Sequence, residues 1–365
     1  MSIKRILFTG ARSPAVLASA RTMARCGYTV FAADSTDANL CLFSNKVSKF
    51  FKLLPTKDKK YKETLIGIVK REKIDLVIPS CEEIFFISAF LDELGQYCKV
   101  FCDEQRKLLA LHDKWTFYRY LTSKGLKTPK TNLSSAMPRQ MDKKYIIKPR
   151  FSRFASKVIC ASEIDNKRHN DSYIVQDFVK GQQYCSYALV ENGKIISRST
   201  YITLLNAGRG AGILLKYIED KEITGIEAFI AKDFNFTGQL AFDFIKDENG
   251  DIFIIECNPR MTSGLVFIED AFLPVVSGGC NKCRAGGYLA SLLLAVLIYM
   301  PLQLLRTLRC AREICFAKDI VFDRTDLMPF FMQIPISLYW LIKSIFYSGP
   351  TAASTIDIEF NMENR

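Results

Sequence analysis

Asp243, Glu256 and Asn258 lie in a stretch otherwise built largely from Phe, Ile, Leu and Cys, where oxygen ligands have no packing role to fill. Two runs of strand composition, residues 239–246 and 251–257, flank Asp247-Glu-Asn-Gly250, which reads as a β-hairpin closed by a four-residue loop. Pairing Lys246 with Asp251 sets Asp243 opposite Ile254, and the two-residue period of a strand turns Glu256 and Asn258 to that same face. An ionised carboxylate is costly to bury alone, whereas a hard divalent cation such as Mg2+ is held by one or two carboxylates together with substrate phosphates. The plainer alternative, a hairpin with one wet face, would have to turn polar only at these positions. Asn258-Pro-Arg260 then adds a neutral oxygen ligand, a strand-ending proline, and a guanidinium suited to bidentate contact with phosphate or carboxylate.

Glu256-Cys-Asn-Pro-Arg260, with an acidic residue on the strand before it, resembles the metal-site signature of the ATP-grasp superfamily. The resemblance implies that Glu256 and Asn258 ligate Mg2+, or Mn2+ in its place, on the phosphates of ATP. It also implies that Asp243 completes the shell and that Arg260 steadies a substrate carboxylate or the transferring phosphoryl group. Further segments are similar to the same family. A helix begins at Leu108 and closes near Gly125, and its Lys114 matches a lysine that reaches the nucleotide. Lys144-Tyr-Ile-Ile-Lys148-Pro149 is a short apolar strand whose final lysine matches one on an ATP phosphate, a role that suits a compact ammonium. The loop after it, Arg150-Phe-Ser-Arg-Phe-Ala-Ser156, departs from the family's glycine-rich pattern and offers Ser152, Arg153 and Ser156, so phosphate closure leans on the Arg153 side chain. Residues 173–184 resemble the hinge that meets adenine, with Gln176, Asp177 and Phe178 at the strand end. Gln183 stands where the family places a ribose-binding Glu, and an amide makes that hydrogen bond without charge assistance. Asn206-Ala-Gly-Arg209-Gly-Ala-Gly212 reads either as a flexible loop able to wrap an anion or as an ordinary surface turn.

These groups need elements to hold them. The fold expected is α/β and α+β in three parts: a Rossmann-like domain over residues 1–105, an ATP-grasp domain over 106–285, and an apolar helical region over 286–365. In the first part, strand-like runs at 5–9, 29–33 and 76–79 alternate with helical patterns at 14–26 and 60–71. It resembles the domain that precedes the catalytic unit in biotin carboxylase and carbamoyl phosphate synthetase. Thr9-Gly-Ala-Arg-Ser-Pro14 lacks the three-glycine dinucleotide fingerprint, so a structural domain with an empty or substrate-lining crevice is expected there. Glu82 and Glu83, at the end of the third strand, either face the shared cleft or open the next helix. The resemblance spans roughly residues 1–270, and beyond that only composition speaks.

Composition excludes other classes. The two histidines, His112 and His169, form no metal-spaced cluster, and His112 is expected at a helix cap or surface. The 12 cysteines are scattered through apolar segments and the N-terminus enters a strand at once, which reads as reduced thiols in a cytoplasmic protein. Cys280-Asn-Lys-Cys283 is half a zinc site at most. A net charge of +12 suits a polyanionic ligand, either nucleotide phosphate or an acidic membrane surface, while the dispersed Lys and Arg argue against nucleic acid. Two apolar runs, 287–301 and 328–347, fit a helix pair packed on the body or a peripheral contact with the cytoplasmic face of a membrane. Pro301, Pro335 and Lys343 disfavour spanning. The expected activity is ATP- and Mg-dependent ligation, in which a small-molecule carboxylate is activated as an acylphosphate for attack by an amine or thiol. The alternative is a membrane-associated nucleotide-binding protein without turnover.

Overall fold

The computed structural model describes residues 3–152, 158–208, 211–268, 270–277, 289–347 and 354–361. The apolar runs Arg5–Thr9, Thr29–Asp34 and Leu76–Ile78 form the centre of a parallel sheet, as strands covered on both faces must. Lys49–Lys52 borders Thr29–Asp34 and Lys99–Val100 borders Leu76–Ile78, giving five strands. Lys49–Lys52 was no part of the sequence expectation; its lysine ends are the mark of an edge strand, which has no long apolar run to read. Helices Pro14–Arg25 and Tyr61–Glu72 fall within a residue of the expected spans, the first opening at Pro14, whose missing N–H costs nothing at a helix start.

Strand order reverses between Arg5–Thr9 and Leu76–Ile78, the place where open α/β sheets hold ligands. Here the chain fills that crevice itself. The Glu83 carboxylate accepts hydrogen bonds from Thr9 Oγ1 at 2.6 Å and from the Ser80 and Cys81 N–H groups, both at 3.0 Å. Gly10 has φ +67°, and a Cβ there would come within 2.9 Å of the same Glu83 oxygen. Beside it, Arg12 donates to Asp34 and to Asp357 of the C-terminal segment, with Ser35 and Thr56 also bonded to Asp357. The crevice, expected to be empty or substrate-lining, is lined by Glu83 and crossed by residues 354–361.

Two further sheets follow, antiparallel throughout except for one parallel pair at the edge of the larger. Thr131–Leu133, Tyr173–Gln176, Gln140–Pro149 and Ile159–Glu163 form a four-stranded one in that order. The other has seven strands, running Ile252–Asn258, Gly238–Asp247, Gly181–Glu191, Lys194–Ala207, Ala211–Ile218, Leu289–Ser291 and Lys318–Asp319. Gln239 ties this sheet to the parallel one, accepting from Tyr187 Oη and donating to the Pro79 carbonyl, both at 2.7 Å.

The C-terminal region differs from its expectation in two ways. It is not helical throughout, because Leu289–Ser291 and Lys318–Asp319 extend the seven-stranded sheet. Nor are its helices a buried pair: Leu293–Tyr299, Leu304–Arg309, Ala311–Phe316 and Met328–Ser344 leave many large apolar side chains exposed. No helix among the described residues is long and apolar enough to cross a membrane. Cys280 and Cys283 lie outside the described residues, and every cysteine within them is a free thiol.

What anchors this region is a buried ion pair. Arg21 donates to Asp326 Oδ2 at 2.8 Å, and Ser44 Oγ and the Asn45 N–H satisfy the remaining carboxylate valences. Both partners are almost solvent-free, at 3% and 1% exposure. Arg21→Met should therefore leave a buried carboxylate uncompensated and lower unfolding stability by about 3–5 kcal/mol. Urea denaturation checks this, and an unchanged midpoint would mean that the 321–326 segment does not dock on the first helix.

Candidate functional site

The hairpin is present, but its register differs from the simple pairing. Lys246 faces Ile252, not Asp251, and a bulge between Asp243 and Phe244 then shifts the ladder so that Asp243 lies directly opposite Glu256. The extra residue, Ile255, is what the even alternation of the sequence conceals. Asn258, opposite Ala241, shares the face of Glu256 by the two-residue period. The three oxygen-bearing side chains do converge, through a bulge rather than a regular ladder. Asn258 Nδ2 donates to Glu256 Oε1 at 3.4 Å, and Arg260 Nη2 donates to Asn258 Oδ1 at 3.2 Å. Arg260 Nε lies 3.8 Å from Glu82 Oε1, so of the two glutamates Glu82 is the one that faces the cleft.

Lys114 and Lys148 come to the same place from two other elements. The expected single helix is split: Gln105–His112 ends, and Asp113 caps Lys114–Ser123, accepting from the Trp115 N–H at 3.2 Å and from Thr116 Oγ1 at 2.8 Å. Asp113 is also held bidentately by Arg150, and the Lys114 N–H donates to the Arg150 carbonyl at 3.2 Å. This clamp fastens the start of the helix to the end of the strand that carries Lys148. Neither Asp113 nor Arg150 was singled out in the sequence, although an Asp just before a helix-forming run is a capping signal. Lys114 Nζ sits 3.4 Å from Glu256 Oε2 and 3.2 Å from Ser152 Oγ, and Lys148 Nζ sits 4.0 Å from the same Glu256 oxygen.

Beside Lys114 lies an aromatic floor. His112 stacks on Phe85 at 4.5 Å, and Phe151 and Phe360 close around it. The expectation of a capping or surface His112 is therefore wrong: the ring is 1% exposed, and burial pushes its pKa down to about 4, so it is a neutral core group. Burial also lowers Lys148 to about 8, with the neighbouring Lys114 charge adding to the effect against the pull of Glu256. Of the carboxylates, burial and the Glu256 charge raise Asp243 to about 7, while Lys114 and Lys148 outweigh burial at Glu256 and keep it ionised. Two facing carboxyls, one of them raised by the charge of the other, fit a divalent cation, which would relieve that repulsion. The described residues hold no cluster of three His, Cys, Asp or Glu, so two carboxylates and the Asn258 amide would need phosphate oxygens to fill a shell.

The remaining candidates are spread around this centre. Gln176 Nε2 donates to Thr131 Oγ1 at 3.0 Å within the core, the Asp177 N–H donates to the Lys130 carbonyl, and Phe178 is 59% exposed. Gln183 faces Ile245, two residues along from Cys185, which faces Asp243; the amide is thus on the sheet face of the carboxylates. Arg153, Ser156 and Arg209 lie outside the described residues.

This arrangement of two largely antiparallel sheets around a lysine and carboxylate cluster is that of an ATP-grasp fold. Residues 111–264 match the family described as ATP-grasp domain. No curated protein matches it in sequence. Among solved structures it is similar to N5-carboxyaminoimidazole synthetase from Staphylococcus aureus, at 14% identity and TM-score 0.62, covering 83% of this chain and 88% of that one. It is also similar to the biotin carboxylase domain of Hydrogenobacter thermophilus 2-oxoglutarate carboxylase, at 10% identity and TM-score 0.61, over 80% and 74% of the two chains. L-amino acid ligase from Bacillus licheniformis matches at 14% identity and TM-score 0.55, over 78% and 76%.

The raised Asp243 makes a signed prediction for the metal-free protein. A carboxyl that holds its proton more tightly in the fold than in the unfolded chain stabilises the fold fully below its unfolded pKa of roughly 4. That contribution is lost as pH rises through about 7. Asp243→Asn mimics the protonated form and should abolish the loss. His112, whose lowered pKa acts with the opposite sign at mildly acidic pH, is common to both proteins and cancels in the comparison. Stability curves of the two proteins that run parallel from pH 4 to 7 would rule out the raised Asp243 pKa.

Proposed function

We propose that the protein is an ATP- and Mg2+-dependent ligase. It transfers the terminal phosphoryl group of ATP to a substrate carboxylate, and an amine or thiol then attacks the acylphosphate with release of phosphate. The observation that carries this reading is the sharing of one carboxylate oxygen by two buried ammoniums, Lys114 and Lys148, beside a second carboxyl, Asp243, set directly opposite Glu256. Such a cluster is short of negative charge and has ready ligands for a cation, which is what a metal-bound polyphosphate supplies.

In this reading Lys114 and Lys148 hold phosphate oxygens as point charges, with Ser152 fixing the Lys114 ammonium. Asp243, Glu256 and Asn258 would hold Mg2+, with Mn2+ an alternative, and the ion would supply positive charge that offsets the negative charge of the phosphates. Gln176, Asp177 and Phe178 border the base, and Gln183 meets the ribose. Arg260, oriented by Asn258 and Glu82, steadies the substrate carboxylate. The lysine side of the cluster is almost solvent-free, with both side chains at most 5% exposed, which strengthens each of these charge interactions. The family match and the bound MgADP and bicarbonate named for the Hydrogenobacter domain support the nucleotide and metal.

Incubation with Mg-ATP and pools of carboxylates and amines should release ADP only when a substrate pair is present. ATP binding with no substrate-dependent ADP would instead favour a binding protein. Glu256→Gln, which removes charge at nearly constant volume, should lower turnover by on the order of 100-fold or more, since even outer partners of a metal site cost about 10- to 100-fold. Gln183→Glu should tighten ATP binding, because a charge-assisted hydrogen bond is roughly twice as strong as a neutral one. An unaltered dissociation constant on titration would remove Gln183 from the ribose.

A further inference from the structure

The C-terminal region turns apolar side chains outward in two places. Between residues 302 and 316, Leu302, Leu305, Leu308 and Phe316 are 82%, 73%, 61% and 76% exposed. Helix Met328–Ser344 repeats the pattern: Phe331, Ile334, Leu338, Leu341 and Ile342 follow one exposed face at helical spacing, while Pro329 and Gln333 are buried and Phe330 and Ile336 pack on the core. Scattered exposed leucines are ordinary on any protein, but runs of this length mark an interaction surface.

Charge identifies what covers the first of them. Arg306, Arg309 and Arg312 are exposed and interleave with its leucines, and none pairs with a carboxylate among the described residues. Glu313 is the one acidic residue between 293 and 318. Farther along, the acidic groups are turned to structural use: Asp319 accepts the Leu293, Val321 and Phe322 N–H groups, Asp323 pairs with Arg25, and Asp326 holds Arg21. A second copy of this chain would set the same arginines against one another across a two-fold interface, where like charges repel. Phosphate headgroups above an acyl layer complement both the arginines and the leucines.

We propose that residues 297–316 form an in-plane docking surface for an anionic lipid bilayer, with the leucines and Phe316 at the headgroup and acyl boundary and the three arginines on lipid phosphates. The outward stripe of Met328–Ser344 is of the same kind. Its C-terminal turn carries Lys343 over Trp340 at 4.9 Å, a cation and aromatic pairing suited to a membrane interface. Since no described helix is long and apolar enough to cross, the contact is a peripheral one.

Flotation of the full-length protein with vesicles tests it, using phosphatidylcholine alone and an equal mixture of phosphatidylcholine and phosphatidylglycerol. The protein should float with the anionic vesicles, and high salt should weaken the association. The triple variant Arg306→Gln, Arg309→Gln, Arg312→Gln should lower the partition coefficient by on the order of 100-fold. Leu305→Ser with Leu308→Ser should weaken binding at both salt concentrations, and ATP titration of each variant verifies that the fold is kept. Equal partitioning of wild type and the triple variant, or no flotation with either vesicle, would overturn the proposal. So would a dimer in light scattering that Leu305→Ser with Leu308→Ser dissociates while vesicles bind neither form, because the face would then belong to a second copy.

Discussion

Lys114 and Lys148 each bring an ammonium to within 4.0 Å of the same Glu256 oxygen, and both side chains are at most 5% exposed. Two charges of one sign so placed are expensive, and one ionised carboxylate offsets only part of the cost. The response is visible in the protonation of the neighbours. Burial lowers Lys148 to about 8, and burial with the Glu256 charge raises Asp243 to about 7, so the pKa values of the cluster sit away from those that water would give. A site poised in this way favours whatever brings negative charge to the lysines and positive charge to the carboxylates together, which is the charge pattern of a metal-bound phosphate chain.

The rest of the molecule holds that tension in place. The Asp113 and Arg150 clamp fastens the start of the lysine-bearing helix to the end of the lysine-bearing strand, which fixes the two backbones from which the ammoniums extend. The bulge at Asp243 sets the two carboxyls face to face. His112, neutral and stacked among phenylalanines, adds apolar surface without adding charge. Phe360 reaches this floor from the far end of the chain, and its N–H donates to Glu82 Oε2 at 3.0 Å. The C-terminal segment is therefore structurally part of the cleft, even though its helices turn an apolar face away from the body.

The sequence by itself determined the alternating α/β part, the hairpin and the set of charged groups, because each is written in short-range pattern. Arg5–Thr9 and Pro14–Arg25 follow from apolar periodicity, and Glu256-Cys-Asn-Pro-Arg260 needs no partner to be legible. Only the tertiary structure decided how those groups meet. The bulge and the one-residue shift that sets Lys246 opposite Ile252 leave composition unaltered, and together they made Glu256 rather than Ile254 the partner of Asp243. His112 became a buried neutral ring through Phe85, Phe151 and Phe360, which are distant in sequence. The C-terminal apolar runs read as candidates for burial, yet whether an apolar face is covered depends on what packs against it, and that is a property of the assembled surface rather than of the run. Burial, shifted pKa values and unpartnered faces arise from long-range contact, so no local pattern encodes them.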